Sequence, residues 1–122
     1  MPATKKIALE EHFLTPACED YWAPTVANVD PAIYDRLHAQ LVDFGSLRLD
    51  AMDRAGIERS VLSLTGPGVQ REPDPAVARR KAIEVNDVLA REILKQPARY
   101  SERADICFRN AEKLLRLKVC AA

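Results

Sequence analysis

Charge of one sign is missing from this sequence. Its 122 residues hold 18 Lys plus Arg and 18 Asp plus Glu, a net charge of zero. A neutral chain has no electrostatic footprint for nucleic acid or for an anionic membrane, so neither is expected as a partner. Long apolar runs are missing too, and nothing approaches the ~20 residues that span a bilayer. Near the N-terminus Ile7-Ala8-Leu9 stops at Glu10, far too short a stretch for a signal peptide. Cysteines are scarce. Cys18, Cys107 and Cys120 are odd in number and scattered, with neither a disulfide framework nor metal-ligand spacing. These absences lead us to expect a soluble protein of a reducing, cytoplasmic compartment. Histidine is scarcer still, with only His12 and His38.

What is present is ordinary for a folded domain. Apolar residues make up 48% and charged residues 30%, which argues against intrinsic disorder. The length suits one domain.

Lys5 to His12 reads as a strand, in which alternation places Ile7, Leu9 and Glu11 on one face and Ala8, Glu10 and His12 on the other. The same residues would also suit a helix start, and that alternative stays open here. Thr15 to Asp30 is loop-like, with Tyr21 and Trp22 in its middle. Those two rings have two readings, a cover for an aromatic substrate or an insert packed on the rim of the fold. Asp30-Pro31 is a helix start, an N-cap followed by proline at the first helical position. Ile33, Leu37, Leu41 and Phe44 then make one apolar face, with Gly45 as the stop. His38 sits beside that stripe and reads as a surface or packing histidine.

Ser46 can cap a second helix that Gly56 ends, and Ile57-Glu58 reads as a turn. Arg59 to Leu64 is the second strand, broken by Thr65-Gly66-Pro67-Gly68. Asp74-Pro75 opens the longest helix, to about Gln96, with Ala78, Ala82, Val85, Leu89 and Ile93 along one face. Asp87 and Arg91 are spaced for an i,i+4 ion pair on it. Strand, helices, strand and long helix are the start of an α/β alternation with parallel strands. Ser101 to Val119 reads as a further helix, where a third strand would be due.

The chemistry concentrates in Glu10-Glu11-His12. A carboxylate and an imidazole two residues apart at a strand end can ligate one divalent cation, although two ligands do not complete a site and a solvated strand end is the bland alternative. Thr65, Gly66 and Pro67 stand at the end of the second strand, where a substrate loop or an ordinary turn both fit.

Several segments, in order, resemble the amidohydrolase-related family of metal-dependent enzymes. They are Ile7-Ala8-Leu9-Glu10-Glu11-His12-Phe13, Leu47-Arg48-Leu49-Asp50-Ala51-Met52-Asp53-Arg54-Ala55-Gly56-Ile57, Ser60-Val61-Leu62-Ser63-Leu64-Thr65-Gly66-Pro67, Asn86-Asp87-Val88-Leu89-Ala90 and Pro97-Ala98-Arg99-Tyr100. The branch they most resemble contains the γ-resorcylate (2,6-dihydroxybenzoate) and salicylate decarboxylases. The resemblance implies an α/β fold, the truncated N-terminal part of a (β/α)8 TIM barrel with two parallel strands and several helices. It divides the chain into a barrel portion, 1–100, and a divergent helical tail, 101–122. It implies Glu10 and His12 as metal ligands for Zn or Mn, weakly bound or unbound in so short a chain, and Thr65, Gly66 and Pro67 as substrate-binding residues. It also implies a small aromatic carboxylic acid as substrate.

The family's later His and Asp ligands and its proton donor have no counterpart here. Eight-stranded barrels need ~250 residues, so the expectation is a prematurely ended chain, as a frameshift or missed splice produces, inactive alone. The alternatives are a fragment of a C–N or lactone hydrolase, or a non-catalytic module. Expected protein partners are a second copy of the chain or a full-length relative.

Overall fold

The computed structural model describes residues 4–102. Strand β1 is Lys6–Phe13, followed by the short helix α1, Glu19–Trp22, between two 3-10 turns at Pro16–Cys18 and Ala23–Val26. Helices α2, Pro31–Val42, and α3, Ser46–Ala55, lead to β2, Ile57–Leu64. A 3-10 turn at Val69–Arg71, helix α4, Pro75–Lys95, and β3, Tyr100–Glu102, complete it. The strands form one parallel sheet in the order β1-β2-β3, the arrangement with which a (β/α)8 barrel begins.

The third strand corrects the expectation of two. Tyr100, Ser101 and Glu102 pair with Ser60, Val61 and Leu62, so Ser101 is strand and not the start of a helix. The strand is only three residues long and shows no hydrophobic period of its own. It is placed by Tyr100, buried at 1% exposure, whose hydroxyl donates to the carbonyl of Phe44 at 2.7 Å. The rest of the expected tail, 103–122, lies outside the described residues.

Caps explain most helix boundaries. The Asp30 carboxylate accepts from the Ala32 N–H at 2.9 Å, and Asp74 accepts from Ala76 and Val77. Each is followed by proline at the first helical position. Gly56 ends α3 at φ 67, a left-handed conformation that glycine adopts without steric cost. Two expectations fail between α2 and α3. Helix α2 stops at Val42, before Phe44 and Gly45, and Ser46 makes no side-chain cap. Asp43 supersedes both: its carboxylate accepts from the Arg48 N–H at 2.8 Å, so it serves the start of the next helix. Ile57 and Glu58, expected as a turn, belong to β2. Of the ion pairs expected or found on α4, Glu92–Lys95 forms, while Asp87 and Arg91 are not bridged.

One core joins the layers. Phe13, Leu14, Cys18, Trp22, Met52, Leu62, Val85, Leu89 and Tyr100 are buried together. Val85 and Leu89 are the centre of the predicted α4 face. Trp22 is buried and packs on the Tyr34 and His38 rings, the environment of a packing residue. His38 also contacts the Glu19 carboxylate.

The predicted alternation in β1 does not hold along its length. Ala8 pairs with Ser60 and Glu11 with Leu62, so three steps on β1 match two on β2. This is a β-bulge, in which Leu9 and Glu10 together oppose Val61. Beyond it the phase is reversed, and Ala8 shares a side with Glu11 and not with His12. Leu62 faces the core at 1% exposure, but Leu9 stands out at 64%.

Candidate metal and substrate site

The C-terminal ends of β1 and β2 lie side by side, and the candidate residues gather there. Glu10 occupies the bulge at φ 58 and is exposed. A left-handed backbone at a non-glycine residue is uncommon and costs about 1–2 kcal/mol. Such strain collects where function over-determines the structure. By register Glu10 opposes Val61 and His12 opposes Ser63, and those two stand on one side of β2.

His12 is held from three directions. Its Nδ1 is hydrogen-bonded to the Ser63 hydroxyl at 3.1 Å. Its carbonyl accepts from Arg48 Nη2 at 2.8 Å. The next carbonyl, of Phe13, accepts from the Thr65 N–H at 2.9 Å. That bond places Thr65, buried, against the end of β1. Gly66 is exposed with open space around its α-carbon, and the Gly66–Pro67 peptide is cis. A side chain at Gly68 would meet Leu64 Cδ2 at 2.6 Å, so it would require the Leu64 side chain to shift.

Glu11 points to the other side, half-buried near Arg48. There a cavity of about 490 Å³ opens between β1, α2 and α3, lined by Glu11, Trp22, Leu37, Leu41, Leu47 and Arg48 among others. Of the candidate ligand and loop residues it shares only His12. Among the described residues, no group of three or more His, Cys, Asp or Glu side chains could hold a metal ion.

Three contributors were not foreseen from the sequence. Arg48 and Ser63 are two. The third is a bridge between the loops after β1 and β2, where the Tyr21 hydroxyl donates to the Glu72 carboxylate and Lys81 Nζ lies 4.1 Å from the Tyr21 ring centre. The hydrogen bond to Glu72 raises the Tyr21 pKa and lowers that of Glu72. Burial pushes the Cys18 thiol up and the Arg48 guanidinium down. No spacing rule marks these residues, because their partners are 36 to 51 positions away.

No family model matches the chain. It is 42% identical over 99 residues to the γ-resorcylate decarboxylase of Rhizobium sp. strain MTP-10005, covering 78% of this chain and 28% of that protein. Its fold matches a dihydroxybenzoic acid decarboxylase from Polaromonas sp. JS666, with bound manganese and the inhibitor 2-nitroresorcinol. There the TM-score is 0.73 at 31% identity, over 93% of this chain and 36% of that one. A 5-carboxyvanillate decarboxylase from Novosphingobium aromaticivorans, complexed with manganese, matches at TM-score 0.67 and 30% identity, over 80% of this chain and 32% of that one. The chain resembles the N-terminal part of the γ-resorcylate decarboxylase branch of the amidohydrolase-related family. It spans about a third of the length of the decarboxylases it matches.

The donor set in this decarboxylase-like chain suits the kind of ion its neighbours hold. A carboxylate and an imidazole accept Mn²⁺ or Zn²⁺ alike. With Nδ1 of His12 engaged by Ser63, Nε2 is the ring nitrogen left for a ligand. No helix among the described residues is long and apolar enough to cross a membrane.

Proposed function

We propose that this chain carries the first part of the active site of a divalent-metal-dependent carboxy-lyase. Its substrate class is the hydroxybenzoate-type aromatic acids, decarboxylated without an oxidant. The single observation that carries the reading is the end of β1, where a strained Glu10 and a braced His12 oppose one side of β2. The relationship to decarboxylases supports it.

In this reading Glu10 and His12 are metal ligands, and the ion is Mn²⁺ or Zn²⁺. A bound divalent ion supplies Lewis acidity for an aromatic carboxylate and its ortho-hydroxyl. Glu10 contributes negative charge, and His12 a neutral donor whose main chain Arg48 and Thr65 hold still. Thr65, Gly66 and Pro67 form the wall beside the substrate ring. Gly66, open on its outer side, leaves room for the ring to approach the backbone. The acid that protonates the ring carbon comes from outside the residues singled out here. The division into a barrel portion and a distinct tail after about residue 100 belongs to the same proposal.

Weak binding is expected from two ligands, so the test must detect it. Mn²⁺ is titrated into the uniformly ¹⁵N-labelled chain and paramagnetic broadening is mapped. Broadening centred on residues 10–13 and 63–66, and lost in His12→Ala, is the expected result. Broadening unaffected by His12→Ala and by Glu10→Gln refutes the assignment.

A further inference from the structure

The hydrogen bond between His12 and Ser63 carries more than support. We propose that Ser63 is a positioning residue that sets the tautomer of His12. Its hydroxyl accepts from Nδ1–H and so presents an unprotonated Nε2 to a divalent cation. Both the cation and the direction of this hydrogen bond rest on the reading above, but the tautomer is measured separately from Mn²⁺ binding.

The two residues are register partners in the parallel ladder, so the backbone itself brings Oγ within 3.1 Å of Nδ1. Nδ1 is thereby occupied, and a metal can reach His12 only at Nε2. A ligating nitrogen carries no proton, which leaves the ring proton on Nδ1. Serine is then the acceptor, and its own proton is free to turn elsewhere. Metal-bound histidines generally donate their second ring N–H in this way, which fixes the ring and raises its basicity. The requirement is real here, because an unconstrained neutral imidazole prefers its proton on Nε2, the tautomer that cannot ligate there. The backbone on either side is already pinned, by Arg48 on the His12 carbonyl and by Thr65 on that of Phe13. Ring orientation is the freedom that remains, and Ser63 removes it.

The test begins on the metal-free chain with ¹⁵N-labelled histidine at about pH 9, well above the ordinary imidazole pKa of about 6.5. The pyrrole-type and pyridine-type ring nitrogens are read from long-range ¹H–¹⁵N correlations, and His38→Gln assigns the two histidines. Nδ1–H should dominate at His12. Ser63→Ala should shift the population to Nε2–H, and Ser63→Thr, which keeps the hydroxyl, should restore it. In the Mn²⁺ titration Ser63→Ala should weaken binding about tenfold, with recovery in Ser63→Thr. A dominant Nε2–H tautomer, or one that Ser63→Ala leaves unchanged, overturns the inference even if Mn²⁺ binding depends on His12. A Ser63-dependent tautomer with Mn²⁺ binding indifferent to His12→Ala refutes the metal reading instead, and with it the purpose assigned to Ser63.

Discussion

Arg48 reaches from the first turns of α3 to the carbonyl of His12, 2.8 Å away and 36 residues back in the chain. The same guanidinium donates to the carbonyls of Gln40 and Asp43 at 3.1 and 2.8 Å and lies over the Phe44 ring. One side chain thus closes the C-terminal end of α2, joins it to α3 and fixes the end of β1.

Replacing Arg48 should therefore destabilise the fold and the site together. Arg48→Ala leaves several carbonyls without their donor, and a loss of about 2–4 kcal/mol is expected in urea unfolding. Arg48→Lys should recover little of it, since an ammonium cannot reproduce the planar fork. An unfolding midpoint for Arg48→Lys equal to that of the natural chain would contradict this account.

Glu10 should behave as a residue kept against the preference of its backbone. Glu10→Gly relieves the left-handed strain but adds freedom to the unfolded chain, so stability should stay level or rise by up to about 1 kcal/mol. Glu10→Val should lower it by about 1–3 kcal/mol, because a β-branched residue tolerates that conformation poorly. Both variants should lose the Mn²⁺ broadening. Equal stability of the glycine and valine forms would remove the argument from strain.

The Tyr21–Glu72 bridge makes a prediction in pH. Hydrogen bonding from Tyr21 holds the Glu72 carboxyl below its ordinary range in the folded state. A depressed folded pKa stabilises above the unfolded value, about 4.3, and that stability is lost as pH falls through the folded value. Thermal melts of the natural chain and of Tyr21→Phe should differ near neutrality, and the gap should narrow as acidification protonates Glu72. A gap that does not narrow on acidification would assign the difference to packing alone.

Turnover should be absent from the chain by itself. Among its described residues no group of three or more His, Cys, Asp or Glu side chains could hold a metal ion, so the proposed pair Glu10 and His12 has no third donor there. Groups that act as a unit lose most of the rate when one is missing. With Mn²⁺ or Zn²⁺ added, no CO₂ release from 2,6-dihydroxybenzoate is expected. Any turnover abolished by Glu10→Gln would mean that two ligands suffice.

The parts of the fold legible in the sequence are those written in local chemistry. Asp30-Pro31, Asp74-Pro75 and Gly56 each act through neighbours within three residues, and the α4 stripe acts through helical period. Glu10 and His12 stand out as a candidate donor pair for the same reason, through their local spacing. What stayed hidden depends on distant partners. The bulge is a mismatch between two strands, so β1 alone gives no sign of it, and alternation wrongly groups Ala8 with His12. Asp43 fell inside the helix expected to run to Phe44, because its partner is the Arg48 N–H of the next helix. Strand β3 is too short to show a period, and Tyr100 finds its place through a carbonyl 56 residues away.

The bulge in β1 has a second consequence, for how the molecule treats its own copies. Within the described sheet β1 pairs only with β2 and forms one margin, with Ile7 and Leu9 exposed. A regular, apolar margin invites a foreign strand to add to it, and natural sheets deter this with lysines, charges and bulges. Lys5 precedes this strand and Lys6 opens it, and Leu9-Glu10 interrupts its outward row of N–H and C=O groups. The residue proposed to offer a carboxylate to a cation thus also spoils the template for aggregation. Deleting Glu10 would remove its charge and the bulge at once, leaving a straighter ribbon guarded only by Lys5 and Lys6 where the natural chain has a kink.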